Sequence, residues 1–155
     1  MGYTKNPKNI EAMQKNRNEQ LKSEERVDLT LEKSVSKNLE KFKAFLGESS
    51  DAAFREFSLG MQGIPCAAVF IDGLVDEMVI NEQILKPMMY QIAILENTLQ
   101  KPIEPGKAFE YVKMRVLAVG DIKEAETLDE AFILIMSGEV GIMIEGFEKI
   151  LIASA

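Results

Sequence analysis

Residues 68–89 read AVFIDGLVDEMVINEQILKPMM. The stretch opens as an apolar strand (Ala67 to Ile71), passes through the turn pair Asp72-Gly73, and enters a short helical segment that meets Pro87. Strand, tight turn and helix in that order describe a small α/β unit. Helical periodicity is poor after Gly73 until Ile80. From there Ile80, Ile84, Leu85 and Met88 form one apolar stripe. Two caps are available. One is Asn81, with Glu82 in the first turn and Ile80 stapled against Leu85; the other is Asp76, a turn earlier. Pro87 removes a backbone donor, so the helix is predicted to end or kink near Lys86.

Working outward, Ala53 to Leu59 reads as a strand, with Arg55 between two phenylalanines. Gly60, Gly63 and Pro65 separate it from the strand Cys66 to Ile71, which predicts a hairpin with a loop of about five residues. Upstream, Leu31, Val35, Leu39, Phe42 and Leu46 recur at helical spacing, and Gly47, Ser49, Ser50 and Asp51 follow as a stop and loop. Residues 1–30 hold hardly any large apolar group, so their burial cannot offset ordering entropy. They are predicted to be a disordered or frayed polar tail ahead of an α/β domain over residues 31–155.

Downstream, a short helix through Ile92, Leu95 and Leu99 gives way to a loop holding Pro102 and Pro105. A helix from Lys107 to Val119 follows, stopped by Gly120, then a strand from Ile122 to Glu126. Thr127-Leu128-Asp129-Glu130 is a capping box that opens a helix through Ala131, Leu134 and Ile135, closed by Gly138. Strands Val140 to Ile144 and Ile150 to Ala153 finish the chain, with Glu145-Gly146-Phe147 as a hairpin signal. The fold class is α/β: a small mixed sheet with helices packed against it, ending in a β-hairpin.

Composition excludes several classes. A chain of 155 residues fits one domain. It has no histidine, which removes the commonest general base and the commonest metal ligand together. The net charge of −7 argues against a nucleic-acid partner. Residues 1–30 carry six basic and five acidic side chains, so the acidic excess lies in the remainder. No apolar run approaches the roughly 20 residues of a membrane span, so this stretch is not expected to enter a membrane. Cys66, the only cysteine, reads as a buried and inert thiol. Met88, Met89, Met114, Met136 and Met143 fall in apolar runs and read as core filling, Met88-Met89 being the weakest case.

No chemistry-bearing constellation survives comparison with its plainer reading. Asp72-Gly73 after a strand reads as a turn, and no glycine-rich phosphate cradle accompanies it. Asp72 and Asp76, joined by Glu77 and Glu82, read as a solvated acidic edge, since nothing like a calcium loop is present. No serine has a histidine partner or an elbow context. Neither catalytic residues, a metal nor a cofactor is predicted. The segment's polar positions Asp72, Asp76, Glu82 and Lys86 are the candidate partner-binding surface, with Glu82 and Lys86 on the polar side of the stripe.

The wording is more specific than its physics. Ile71-Asp72-Gly73-Leu74-Val75-Asp76, Ile80-Asn81-Glu82 and Ile84-Leu85-Lys86-Pro87 resemble the soluble N-terminal region of the A subunit of spore germinant (nutrient) receptors, the GerA family. The resemblance runs over residues 33–155. It includes Phe54-Arg55-Glu56-Phe57, Val119-Gly120-Asp121, Ala125-Glu126-Thr127-Leu128 and Ser137-Gly138. It implies a non-enzymatic domain acting in receptor assembly and signal relay during nutrient-induced germination. It also implies B and C subunits as partners, self-association of A subunits, and a place on the cytosol or spore-core side of the spore inner membrane. In that family the soluble region continues into a second α/β portion and then membrane helices, whereas this sequence stops at Ile152-Ala153-Ser154-Ala155, so it reads as the first part of the region. Two other readings stay open: a small-molecule-binding α/β sensor and, disfavoured by the missing histidine and motifs, an enzyme.

Overall fold

The structure is a computed structural model that describes residues 29–46, 51–117 and 119–154. The tail expected over residues 1–30 lies outside the described residues save for its last two, and so does the stop expected at Gly47, Ser49 and Ser50. Thr30 already pairs with Thr127 across an antiparallel bridge. Leu29 accepts the Leu128 amide at 2.9 Å.

Five strands form one sheet: β1 (Ala52–Leu59), β2 (Ile64–Ile71), β3 (Ile122–Ala125), β4 (Glu139–Ile144) and β5 (Ile150–Ser154), in the order β1-β2-β4-β5-β3. All four pairings are antiparallel, rather than mixed as the sequence suggested. The reason is topological. β3 and β4 are joined by a helix and run in the same direction, as a crossover requires, but β5 turns back from β4 and inserts between them. A parallel contact is thereby replaced by two antiparallel ones.

The strand period of two divides the core into two layers. Cys66, Ala68 and Phe70 of β2, with Val140, Ile142 and Ile144 of β4, face one side. Ala67, Val69 and Ile71 face the other, with Met143, Ile150 and Ile152. Helix α1 (Val35–Leu46) and helix α4 (Leu128–Met136) cover the second side through Val35, Leu39, Phe42, Ala131 and Ile135. Helix α2 (77–99) and helix α3 (105–116) cover the first.

Three helix boundaries differ from the sequence reading. Leu31 is buried but precedes α1, because residues 29–34 are non-helical and hydrogen-bonded elsewhere. Asn38 takes both the amide and the carbonyl of Glu32, at 2.9 and 2.8 Å, and Gly146 donates to Lys33 O at 2.8 Å. Helix α2 starts at Glu77 under Asp76, the earlier of the two caps the sequence offers, and Asn81 lies inside the helix. The helix does not end at Pro87. Residues 80–85 and 87–91 take wider π-helical turns, with the Lys86 amide bonded to Asn81 O five residues back. The widened turn leaves room for the proline ring and needs no donor there. Helix α3 stops at Val116, where Leu117 turns extended, well before Gly120.

The Thr127 cap forms, while the glutamate of the expected capping box takes the amide one residue before the cap. Thr127 Oγ1 accepts the Glu130 amide at 3.4 Å, and the Glu130 carboxylate reaches back to the Glu126 amide at 3.1 Å. Of the methionines read as core, Met88 and Met143 are buried. Met89, Met114 and Met136 are not, since they fall on the outer positions of their helices.

Candidate functional site

The connection from β2 into α2 builds the surface singled out in the sequence. β2 ends at Ile71, and the Asp72 amide donates to Asp51 O at 2.7 Å, holding the turn to the start of the neighbouring edge strand. Gly73 takes φ +89°, a conformation open to glycine, and the Leu74 amide closes the turn on Ile71 O at 3.1 Å. The Leu74 carbonyl lies against Gly138, where a Cβ would come within 3.2 Å of it, so the turn abuts the end of α4. Asp76 accepts the Met78 amide at 2.9 Å and caps α2, with Glu77 in the first turn where the helix dipole favours it.

All four candidates, Asp72, Asp76, Glu82 and Lys86, are exposed. Only Glu82 and Lys86 meet: they form an ion pair one turn apart, and the Glu82 hydrogen bond raises the Lys86 ammonium above its usual value. Asp76 is occupied as a cap. Among the described residues no three histidine, cysteine, aspartate or glutamate side chains are grouped to hold a metal ion. The segment therefore offers a polar surface of mixed charge on a rigid support.

Two carboxylates outside this segment carry more structural weight, and the sequence reading passed over both roles. Glu96 is buried on α2. Its two oxygens accept the Met61 amide at 2.8 Å and the Ile103 amide at 2.9 Å, clamping the β1–β2 turn to the loop that leaves α2. Glu145, read as part of a hairpin turn, accepts the Val35 amide at 2.7 Å and so holds the first turn of α1. A third, Glu124 on β3, pairs with Lys113 at 2.8 Å and Lys149 at 3.4 Å. The Lys113 hydrogen bond foremost lowers its carboxyl below the usual range.

Cys66 is enclosed in the sheet, with Sγ 3.6 Å from Ile64 O. Burial, helped by the nearby Glu145 carboxylate, pushes its thiol up to about 12. Two results are expected. A thiol reagent at neutral pH should label Cys66 only as fast as the domain unfolds, and rapid labelling of the native chain would contradict the enclosure. Stability should also fall at alkaline pH. Below pH 9.0 the thiol is protonated in both states and its contribution is complete; between 9.0 and about 12 the unfolded chain ionises first and the contribution is lost. Urea midpoints of Cys66→Ala across that range should show a shallower alkaline decline than the parent.

These features define a three-layer α/β module in which Glu96, Glu145 and Asp76 serve as clamps and caps. A model of the Bacillus/Clostridium GerA spore germination protein family matches residues 40–155, and the chain belongs to that family. It is 30% identical over 122 residues to spore germination protein KA of Bacillus subtilis (strain 168), a match over 78% of this chain and 21% of that protein. Its fold is similar to the crystal structure of the N-terminal domain of the A subunit of the Bacillus megaterium spore germinant receptor GerK3. The TM-score is 0.67 at 24% identity, over 81% of this chain and 48% of that one. The chain thus spans about a fifth of the curated relative and about half of the crystallised domain. No helix among the described residues is long and apolar enough to cross a membrane.

Proposed function

We propose that this chain is the first α/β portion of the N-terminal region of a spore germinant receptor A subunit, acting without catalysis in receptor assembly and in relay of the nutrient signal. The observation that carries this reading is the family match over residues 40–155, joined to a fold shared with an A-subunit domain. In this reading its partners are the B and C subunits and further A subunits. It lies on the core side of the spore inner membrane, and any membrane contact is made by other parts of the receptor. The surface offered to a partner is Asp72, Asp76, Glu82 and Lys86, where exposed charge stands on a helix fixed from below by Ile80, Ile84 and Leu85.

Charge reversal tests it. Glu82→Lys or Lys86→Glu should leave the isolated domain folded with a nearly unchanged melting temperature, since both side chains are half exposed. Placed in an intact receptor, either change should slow nutrient-triggered germination by opposing a complementary surface. The double reversal restores an ion pair on the helix but not the pattern shown to a partner. Germination at the normal rate with the double reversal would refute the surface.

A further inference from the structure

The end of the sheet from which α2 departs gathers acidic residues. The strand register brings together there the start of β1, the end of β2 and the starts of β4 and β3. Ala52 pairs with Ile71, Val69 with Gly141, Glu139 with Ser154 and Ile122 with Ala153. Asp51, Asp72, Asp121 and Glu139 stand at these strand ends, and Asp76 and Glu77 follow where α2 begins. Lys123 answers Asp121 and Glu139, at 3.7 and 3.6 Å. Among the described residues no lysine or arginine pairs with Asp51, Asp72, Asp76 or Glu77. Three apolar side chains project beside these carboxylates. Leu74 is 54% exposed in the β2–α2 turn, Met78 73% exposed in the first turn of α2, and Met136 46% exposed at the end of α4. Met136 lies two residues before Gly138, against which the Leu74 carbonyl rests.

We propose that this end of the domain docks a lysine- and arginine-rich segment of a membrane-spanning partner, with an apolar residue of that segment seated against Leu74, Met78 and Met136. The charge sets the sign of the partner. Four carboxylates without a counter-ion repel nucleic acid and anionic lipid headgroups and attract a cationic chain. The apolar side chains set its class. A small cation gains nothing from them, whereas a peptide gains an anchor inside a charged rim. The proposal rests on the receptor reading and names the partner chemistry at its surface. Loops that membrane proteins hold on the inner side of a membrane carry an excess of lysine and arginine.

Fluorescence anisotropy of a short labelled peptide of lysine and leucine, titrated with the full 155-residue chain at about 50 mM salt, tests it. The parent should bind with a Kd in the micromolar range. Leu74→Ser and Asp72→Lys should each raise that Kd about tenfold, with circular dichroism unchanged. A peptide with serine in place of leucine should lose about as much. Glu148→Lys makes the same change from acid to base at the opposite end of the sheet, and should bind like the parent. No binding by the parent, full binding by Leu74→Ser, or equal losses in Glu148→Lys and Asp72→Lys would each overturn the proposal. Those outcomes leave the receptor reading standing, because that reading is decided by the germination of the Glu82 and Lys86 reversals.

Discussion

Replacing Glu96 by alanine is expected to lower the melting temperature of the domain by roughly 5–15 °C, about 2–4 kcal/mol. The carboxylate is 2% exposed and is the hydrogen-bond acceptor for the amides of Met61 and Ile103. Removing it strands two donors in a partly buried place, each costing about 1–3 kcal/mol. Its space is also shaped by Gly60. With φ +74° and a hypothetical Cβ only 2.8 Å from Glu96 Oε1, the turn admits no larger residue while the carboxylate is there. Glu96→Gln keeps one acceptor and turns the other into a donor facing a donor, so it should fall between parent and alanine. Differential scanning calorimetry on the three proteins orders them. Equal melting temperatures would mean the turn and the loop hold themselves.

Phe42→Ala should cost about 3–5 kcal/mol, the range for emptying an aromatic site in a closed core. Phe42 is fully buried and seats α1 on the second face of the sheet. The helix is otherwise tied by polar contacts at its start: the Glu145 carboxylate on Val35 and the Asn38 amide on Glu32. With the ring gone, those contacts hold one end and the helix loses its grip along its length. Urea denaturation should report the full loss. Hydrogen exchange should show α1 amides deprotected first while β2 and β4 stay protected. Uniform deprotection would make α1 part of a single cooperative unit with the sheet.

The strands were legible because the apolar runs are short and set off by turn residues; β2, β4 and β5 are buried on both faces, so they read as near-continuous apolar runs. The Thr127 cap was legible because its chemistry is local. Helix α2 was not, and the reason is visible in its spacing. Ile80, Ile84, Met88, Ile92 and Glu96 recur every four residues and all are buried. In an ordinary α-helix of 3.6 residues per turn such a row drifts by about 160° over sixteen residues. The π-helical turns cancel that drift, so the row stays straight, passes Pro87 and brings Glu96 beneath Gly60. A strict four-residue period through a proline was the signal that the turns are wide. The inward role of Glu96 follows from the same period. The outward positions of Met114 and Met136 had no such signal, since methionine is at home on either side. Among the candidate partner residues, the sequence placed Glu82 and Lys86 on the polar side correctly, but Asp76 is spent as the cap.

The insertion of β5 between β4 and β3 also governs the order in which this sheet can be made. During synthesis β1, β2 and, later, β4 can pair as they emerge, each finding its neighbour already present. β3 emerges before β4 yet has no partner strand until Ile150–Ser154 has followed it. Until then Ile122–Ala125 has no strand beside it, and Ile142 and Val140 stand at an open edge. Completion of the domain is thus a late, long-range closure, slow in the way non-local pairing is slow. A nascent chain halted before Ile150 should retain the β1–β2 hairpin and offer an unpaired edge to whatever strand it meets first.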